Sequence, residues 1–164
     1  MGVDRLPIIF LSILPDKKDC LPAITAFLKA LEIHDAEGGV SGRGARHTNN
    51  RDVMVKGMRD LGFETLLDER WLSPIIVTFF CPEDPAFHFS KFYDLMKNEG
   101  YIIYPGKLTI VDSFRVGCIG RMDSHVMQGV VSGARNALEA MGVKSAAPPK
   151  AALLERQRLS ELQE

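Results

Sequence analysis

Short runs rich in β-branched and aromatic residues alternate with helical repeats between residues 63 and 142, and this alternation limits the folds open to the chain. Four such runs predict strands, at Phe63–Leu67, Pro74–Phe80, Tyr101–Tyr104 and Ser113–Ile119. A sheet of this size needs a covered face to be stable, and helices must supply the cover. The pattern therefore predicts a two-layer α+β domain with a small mixed or antiparallel sheet.

The helical repeats place apolar residues at intervals of three and four. They predict five helices. The first covers Pro22–Ile33, and the second runs from after Glu37-Gly38-Gly39 to Gly62. The others run from about Ser90 to Gly100, from Asp123 or Ser124 to Gly142, and over Ala151–Leu162. Proline and alanine between residues 144 and 150 predict a linker. The predicted organisation is an N-terminal extension over 1–21, one domain over 22–142, and a linker with an amphipathic C-terminal helix over 143–164.

The charge balance of the chain excludes two classes of partner. The 164 residues include 21 acidic and 20 basic side chains, so no bulk field favours nucleic acid or an anionic membrane. The longest apolar run, Leu6–Leu14, is interrupted by Pro7 and Ser12 and is shorter than the roughly 20 residues that span a bilayer. We expect neither a nucleic-acid partner nor a membrane-bound protein.

Cysteine and histidine spacing gives no metal signature. The three cysteines, Cys20, Cys81 and Cys118, form no CxxC pair, which predicts reduced thiols and a cytoplasmic location. The four histidines are too scattered for any recognised ligand spacing, so no metal site is predicted. The glycines between Gly38 and Gly44 match neither phosphate-loop pattern and follow no strand, which favours a flexible or kinked entry to a helix.

Arg115 lies in the last predicted strand and is the strongest candidate for binding. A guanidinium is costly to bury without a partner, and its planar fork matches carboxylate, phosphate or phosphonate oxygens. Arg115 therefore either binds a small anion or forms an internal salt bridge, and the sequence leaves both open. Lys107, in the turn after Pro105-Gly106, either contacts the same anion or is a solvated surface charge.

A series of short blocks in fixed order resembles the small domain of 2-aminoethylphosphonate:pyruvate aminotransferases. The blocks extend over roughly Pro22 to Met141 and include Glu37-Gly38-Gly39-Val40, Arg43, Arg46, Asn50, Gly57-Met58-Arg59, Leu61–Leu67, Ser73–Ile76, Phe92-Tyr93, Tyr104–Lys107, Phe114–Gly117 and Ile119-Gly120.

The resemblance implies the small domain of a fold-type I, class V enzyme that uses pyridoxal phosphate (PLP), with helices on a four-stranded, mainly antiparallel sheet. It implies transfer of an amino group from aminoethylphosphonate to pyruvate, giving phosphonoacetaldehyde and alanine. The arginine that matches Arg115 binds the acidic group of the substrate in that family. No catalytic step needs to be assigned to Arg115, because its role would be orientation and charge neutralisation.

The sequence also departs from the family. Enzymes of this kind carry the Schiff-base lysine and most phosphate contacts in a large domain that precedes this segment. Only about twenty residues precede the first matching helix here, and Met1 opens the chain as if it were complete. The family's Thr/Ser/Pro-rich stretch before that helix is replaced by Lys17–Leu21. We therefore assign no catalytic or cofactor-binding residue, and expect PLP only in a complete enzyme.

Two functions remain open at this point. The chain is either the small domain of an aminotransferase, active only with a large domain, or a stand-alone module that binds a small anion or a protein. A small domain without its partner exposes an apolar face that favours self-association, so we expect a homo-oligomer.

Overall fold

Two helices open the part of the chain that the structure describes. The structure is a computed structural model that describes residues 17–106 and 110–162, and the side chains from Leu21 onward. Helix α1 covers Lys17–Ala36 and helix α2 covers Gly39–Asp60. Gly38 and Gly39 join them with φ angles of 92° and 65°, a region that favours glycine. Both helices and the kinked entry to α2 are confirmed.

The chain divides into two compact units, residues 1–43 and residues 44–164. The second unit holds a three-stranded sheet of β1 (Ile76–Phe80), β2 (Tyr104–Pro105) and β3 (Ser113–Gly117) in the order β1-β3-β2. Both pairings are antiparallel, with Val77 opposite Val116 and Tyr104 opposite Arg115. The predicted α+β class is confirmed.

The fourth predicted strand, Phe63–Leu67, is not confirmed. It makes only an isolated bridge between Thr65 and Phe79, flanked by two backbone hydrogen bonds of 2.9 Å to β1. The Thr65 hydroxyl donates to the carbonyl oxygen of Leu67 at 2.8 Å, which turns the backbone away from β1. Asp68 then caps a short 3-10 helix over Glu69–Trp71, so the ladder stops after one bridge.

The strand predicted over Tyr101–Tyr104 is shorter and lies further along the chain. The Tyr101 amide donates to the carbonyl oxygen of Met96 at 2.9 Å, which ends the preceding helix. The Tyr101 ring packs beside Gly133, where a Cβ atom would lie 3.4–3.5 Å from it. Only Tyr104 and Pro105 pair with β3. Pro105 lies within an edge strand, where no ladder bond needs its nitrogen.

Three further helices complete the second unit. They are α3 (Phe89–Asn98), α4 (Ser124–Met141) and α5 (Lys150–Glu161). The Asp123 carboxylate accepts hydrogen bonds from the first turn of α4, and Gly142 ends that helix with a φ of 75°. The predicted caps of α4 are both confirmed.

Phenylalanine rings form the centre of the core. Phe114 of β3 lies within 6.3 Å, between ring centroids, of four other rings: Phe63, Phe79, Phe89 and Phe92. Val77 and Val116 extend the same buried layer along β1 and β3. This layer marks the face of the sheet that the helices cover.

The segment after Gly142 packs against the rest of the second unit. One carboxylate oxygen of Asp84 accepts from the amides of Lys144 and Ser145, at 2.9 and 3.4 Å. Ala146 and Ala152 are buried, and Arg156 forms a 2.8 Å ion pair with Glu64. The division at residue 142 into a domain and a tail stays a prediction, and residues 1–16 lie outside the described part. Within the described residues, no helix has the length and apolarity needed to cross a bilayer.

We predict that Asp84 makes the stability of the chain sensitive to acid. The backbone amides of Ala86 and Lys144 lower the pKa of its carboxyl group. A lowered folded-state pKa gives stability that is present above the ordinary pKa of about 4 and is lost as the pH falls through the lowered value. Urea unfolding between pH 7 and pH 3 should show a smaller loss of unfolding free energy for Asp84→Asn than for the wild type.

The exposed Asp94 on α3 provides the matched control for this experiment. Asp94→Asn should follow the wild-type curve at every pH. If Asp84→Asn followed it as well, the carboxylate would not hold the segment after Gly142.

Candidate functional site at Arg115

Arg115 lies on the face of the sheet opposite the aromatic layer. Its neighbours along β3, Phe114 and Val116, both belong to the buried layer. Successive side chains of a strand point to opposite faces, so Arg115 points away from that layer. Thr78 on β1 and Tyr104 on β2 are its cross-strand partners, and Tyr104 is 59% exposed. The guanidinium therefore comes from the middle strand of a partly open surface.

The hydrogen bonds of Arg115 are incomplete. One terminal nitrogen, Nη2, donates to the Pro105 carbonyl oxygen at 3.3 Å. The Nε atom is buried and has no acceptor among the described residues. No carboxylate in the described ranges, 17–106 and 110–162, forms an ion pair with Arg115. A half-buried guanidinium with an unused donor is a suitable group to receive an anion.

The predicted role of Arg115 stays a prediction, but the geometry does not favour the internal salt bridge. The second predicted site residue, Lys107, lies outside the described residues. The residue before it, Gly106, donates its amide to Ser113 at 2.7 Å. A Cβ atom at Gly106 would lie within 3.0 Å of three atoms of Ser113, so only glycine fits this approach.

A groove of about 540 Å³ lies near β2 but is not lined by Arg115. Its polar lining includes His88, Ser90, Asp112 and Ser113, and Cys81 lines it as well. Burial, with a smaller effect of the Asp112 charge, raises the pKa of the Cys81 thiol to about 12. Burial likewise raises the pKa of Cys118 to about 11. Both thiols stay protonated near neutral pH, as expected for structural cysteines.

Two side chains of α2 fix the segment that follows β3. Arg46 Nη1 donates to the carbonyl oxygens of Gly120 and Met122, at 2.6 and 2.9 Å. Asn50 Nδ2 donates to the carbonyl oxygens of Cys118 and Met122, at 3.2 and 3.0 Å. In the sequence, Arg46 and Asn50 stood out only as part of the short segments that resemble the aminotransferase small domain. Their spacing of four residues, which places them on one face of a helix, was the available signal.

The comparisons with known proteins agree on one class of enzyme. The chain is 66% identical over 137 residues to the 2-aminoethylphosphonate–pyruvate transaminase of Rhizobium meliloti (strain 1021), covering 84% of this chain and 36% of that protein. It is 61% identical over 139 residues to 2-aminoethylphosphonate–pyruvate transaminase 1 of Paraburkholderia xenovorans (strain LB400), again covering 36% of the relative. The predicted resemblance to these transaminases is confirmed.

Solved structures support the fold independently. A ureidoglycine-glyoxylate aminotransferase from Bacillus subtilis superposes with a TM-score of 0.57 at 18% identity, covering 77% of this chain and 32% of that chain. A subgroup IV aspartate aminotransferase from Thermus thermophilus gives a TM-score of 0.50 at 19% identity. No known family profile matches the sequence. The chain thus spans about a third of the length of the transaminases that it matches.

The described residues do not fit PLP by themselves. A transaminase holds this cofactor on a lysine in a desolvated site. Lys56 lines a cavity of about 430 Å³ beside α2, but its side chain is 79% exposed and forms a 2.9 Å ion pair with Asp60. Lys29 is 70% exposed and paired with Glu32. Among the described residues, no lysine lines the groove near β2.

We predict that Asn50→Ala destabilises the second unit. Asn50 is fully buried, and the substitution removes two hydrogen bonds to the carbonyl oxygens of Cys118 and Met122. Loss of buried partners of this kind costs about 1–3 kcal/mol of unfolding free energy. Urea unfolding of the full chain measures the loss, with the exposed neighbour Asn49→Ala as the control. Equal stability of the two variants would show that Asn50 does not fix the segment after β3.

Proposed function

We propose that the chain supplies the substrate-anion site of a 2-aminoethylphosphonate–pyruvate transaminase, with Arg115 binding the phosphonate or carboxylate group. The observation that carries the proposal is the half-buried guanidinium of Arg115, which has an unused Nε donor and no carboxylate partner among the described residues. The sequence match to two transaminases, at 66% and 61% identity, supports the choice of substrate class.

The position of Arg115 suits orientation of a substrate. Pairing on both sides of β3 holds its backbone, and the bond to Pro105 limits the rotation of its side chain. An anion at this fork gains charge-assisted hydrogen bonds, and its reactive end is directed away from the sheet. In this proposal Arg115 binds and orients the substrate, and the amino-group chemistry belongs to the rest of the enzyme.

The complete enzyme, on this proposal, transfers the amino group of 2-aminoethylphosphonate to pyruvate and gives phosphonoacetaldehyde and alanine. The resemblance implies that PLP and its lysine lie in a large domain that corresponds to the unmatched part of the relatives. The chain alone is then inactive. We further infer a cytoplasmic enzyme that forms a homo-oligomer, consistent with two buried free cysteines.

A stand-alone anion-binding or protein-interaction module is not favoured. The match to transaminases covers 84% of the chain at 66% identity, and a changed function would not be expected to retain so much of the sequence.

A chimera tests the proposal directly. The matching third of the Rhizobium meliloti transaminase is replaced by this chain, and transamination of pyruvate by 2-aminoethylphosphonate is measured. Arg115→Ala should lower kcat/KM by about 30-fold or more, because truncating one partner of a desolvated charge pair costs about 2 kcal/mol or more. Arg115→Lys should recover only part of the activity, since an ammonium lacks the planar fork.

Arg121→Ala is the matched control, because Arg121 is an exposed arginine six residues along the chain. Its kcat/KM should equal that of the unmodified chimera. An Arg115→Ala chimera with unchanged kcat/KM for both substrates would refute the assignment of the anion site.

A further inference from the structure

Tyr104 lies beside Arg115 on the same face of the sheet. The two residues are direct cross-strand partners of β2 and β3, and residues opposite each other in an antiparallel pair project their side chains to one side. Tyr104 is 59% exposed, and no hydrogen bond of its hydroxyl is found within residues 17–106 and 110–162. The face that carries the candidate binding residue thus also carries an unused hydroxyl.

The backbone fixes the spacing of these two side chains. The Gly106 amide donates to the Ser113 carbonyl oxygen at 2.7 Å, so this pair is a hydrogen-bonded one. Pair types alternate along the ladder, and Tyr104 with Arg115, two residues away, is therefore of the same type, with Cα atoms about 5.5 Å apart. A shift of β2 by one residue would bring a Cβ atom to the position of Gly106, where none fits. An anion held by Arg115 then lies within reach of the Tyr104 side chain.

Thr78, on the other side of Arg115, is less suited to a second contact. It lies opposite Arg115 on β1 and also carries a hydroxyl, but it is half-buried. A threonine hydroxyl is attached to Cβ and stays next to the backbone, whereas a phenol and a guanidinium both extend well beyond it. Of the two cross-strand partners, Tyr104 alone has the reach to place a donor at the level of the guanidinium.

The number of oxygen atoms distinguishes the two anions of the proposed reaction. Arg115 has five N–H donors in a planar fork, and the bond to Pro105 uses one of them. Such a fork binds two oxygen atoms side by side, which matches a carboxylate. A phosphonate has a third oxygen, which lies outside the plane of the fork and needs a donor of its own. A hydroxyl beside the fork supplies that donor to a phosphonate and has no counterpart on a carboxylate.

We propose that the Tyr104 hydroxyl donates a hydrogen bond to the third oxygen of the substrate phosphonate. This contact favours 2-aminoethylphosphonate over substrates that present a carboxylate to Arg115. The inference rests on the proposed function, since it takes Arg115 as the anchor of the anion. It adds a residue that selects between substrates, while Arg115 binds either anion.

Kinetics of the Rhizobium meliloti chimera test the proposal, because a transaminase handles its two substrates in separate half-reactions and kcat/KM is obtained for each. Tyr104→Phe removes the hydroxyl and keeps the ring. It should lower kcat/KM for 2-aminoethylphosphonate by about 10–100-fold, the effect of one hydrogen bond to a charged group, and leave kcat/KM for pyruvate unchanged. An unchanged value for 2-aminoethylphosphonate, or an equal loss for both substrates, would overturn the proposal.

Inhibition of the chimera separates oxygen number from charge. Propanoate and ethanesulfonate carry the same single negative charge, but the first has two oxygen atoms and the second has three, as ethylphosphonate does. Tyr104→Phe should raise the inhibition constants of ethylphosphonate and ethanesulfonate by about 10-fold or more and leave that of propanoate unchanged. Equal changes for all three compounds would show that the hydroxyl does not recognise a third oxygen.

Tyr93→Phe is the matched control, because Tyr93 lies on α3 and packs against the buried core. It should leave kcat/KM for both substrates and all three inhibition constants unchanged. Tyr104→Phe should itself leave the unfolding free energy within error of the wild type, since Tyr104 is exposed. A loss of kcat/KM for 2-aminoethylphosphonate in Thr78→Val but not in Tyr104→Phe would place the contact on β1 and refute the assignment to Tyr104.

Failure of this proposal is distinguishable from failure of the proposed function. If Arg115→Ala lowers kcat/KM and Tyr104→Phe does not, the anion site stands and only the selecting contact is wrong. If Arg115→Ala leaves both values of kcat/KM unchanged, the proposed function fails, and the contact from Tyr104 fails with it because it needs the anchor.

Discussion

The antiparallel pairing of β3 between β1 and β2 is the constraint on which the second unit depends. The pairing sets Phe114 opposite Phe79, and this register buries the aromatic layer. Because a strand alternates its side chains, the same register places Arg115 on the opposite face. A shift by one residue would exchange the two, burying a guanidinium among phenyl rings and exposing Phe114. The core thus determines where the candidate binding residue points.

Sequence reasoning succeeded where a local signal decides the structure. Asp123 begins α4 and Gly142 ends it as expected, because a carboxylate can accept from the first amides of a helix and glycine readily takes the left-handed conformation that ends one. It failed where a side chain acts on a distant backbone group or changes the direction of the chain. Thr65 ends a predicted strand through its own hydroxyl, and Tyr101 leaves another to pack against α4.

The candidate site, too, can be predicted from the sequence only in part. The chemistry of Arg115 can be predicted from its residue type and from the apolar strand around it. The lack of an acceptor for its Nε atom among the described residues cannot, because that depends on which groups the fold brings near Arg115. The bonds from Arg46 and Asn50 to residues 118–122 join positions about seventy residues apart, a separation at which a single sequence carries no pairing signal. The segment held by Asp84 is a further case, since its composition predicted a linker.

Pro105 makes the edge strand β2 a poor partner for strands of other proteins. The Gly106 amide points toward β3. Because successive residues of a strand direct their backbone groups to opposite sides, the Pro105 nitrogen points to the outer edge of the sheet. A proline nitrogen carries no hydrogen, and the Pro105 carbonyl oxygen already accepts from Arg115. An incoming strand from a neighbouring protein therefore finds no donor at this residue, and it must share the acceptor with Arg115. At this point the sheet resists growth into aggregates, with the Arg115 guanidinium occupying part of the remaining acceptor.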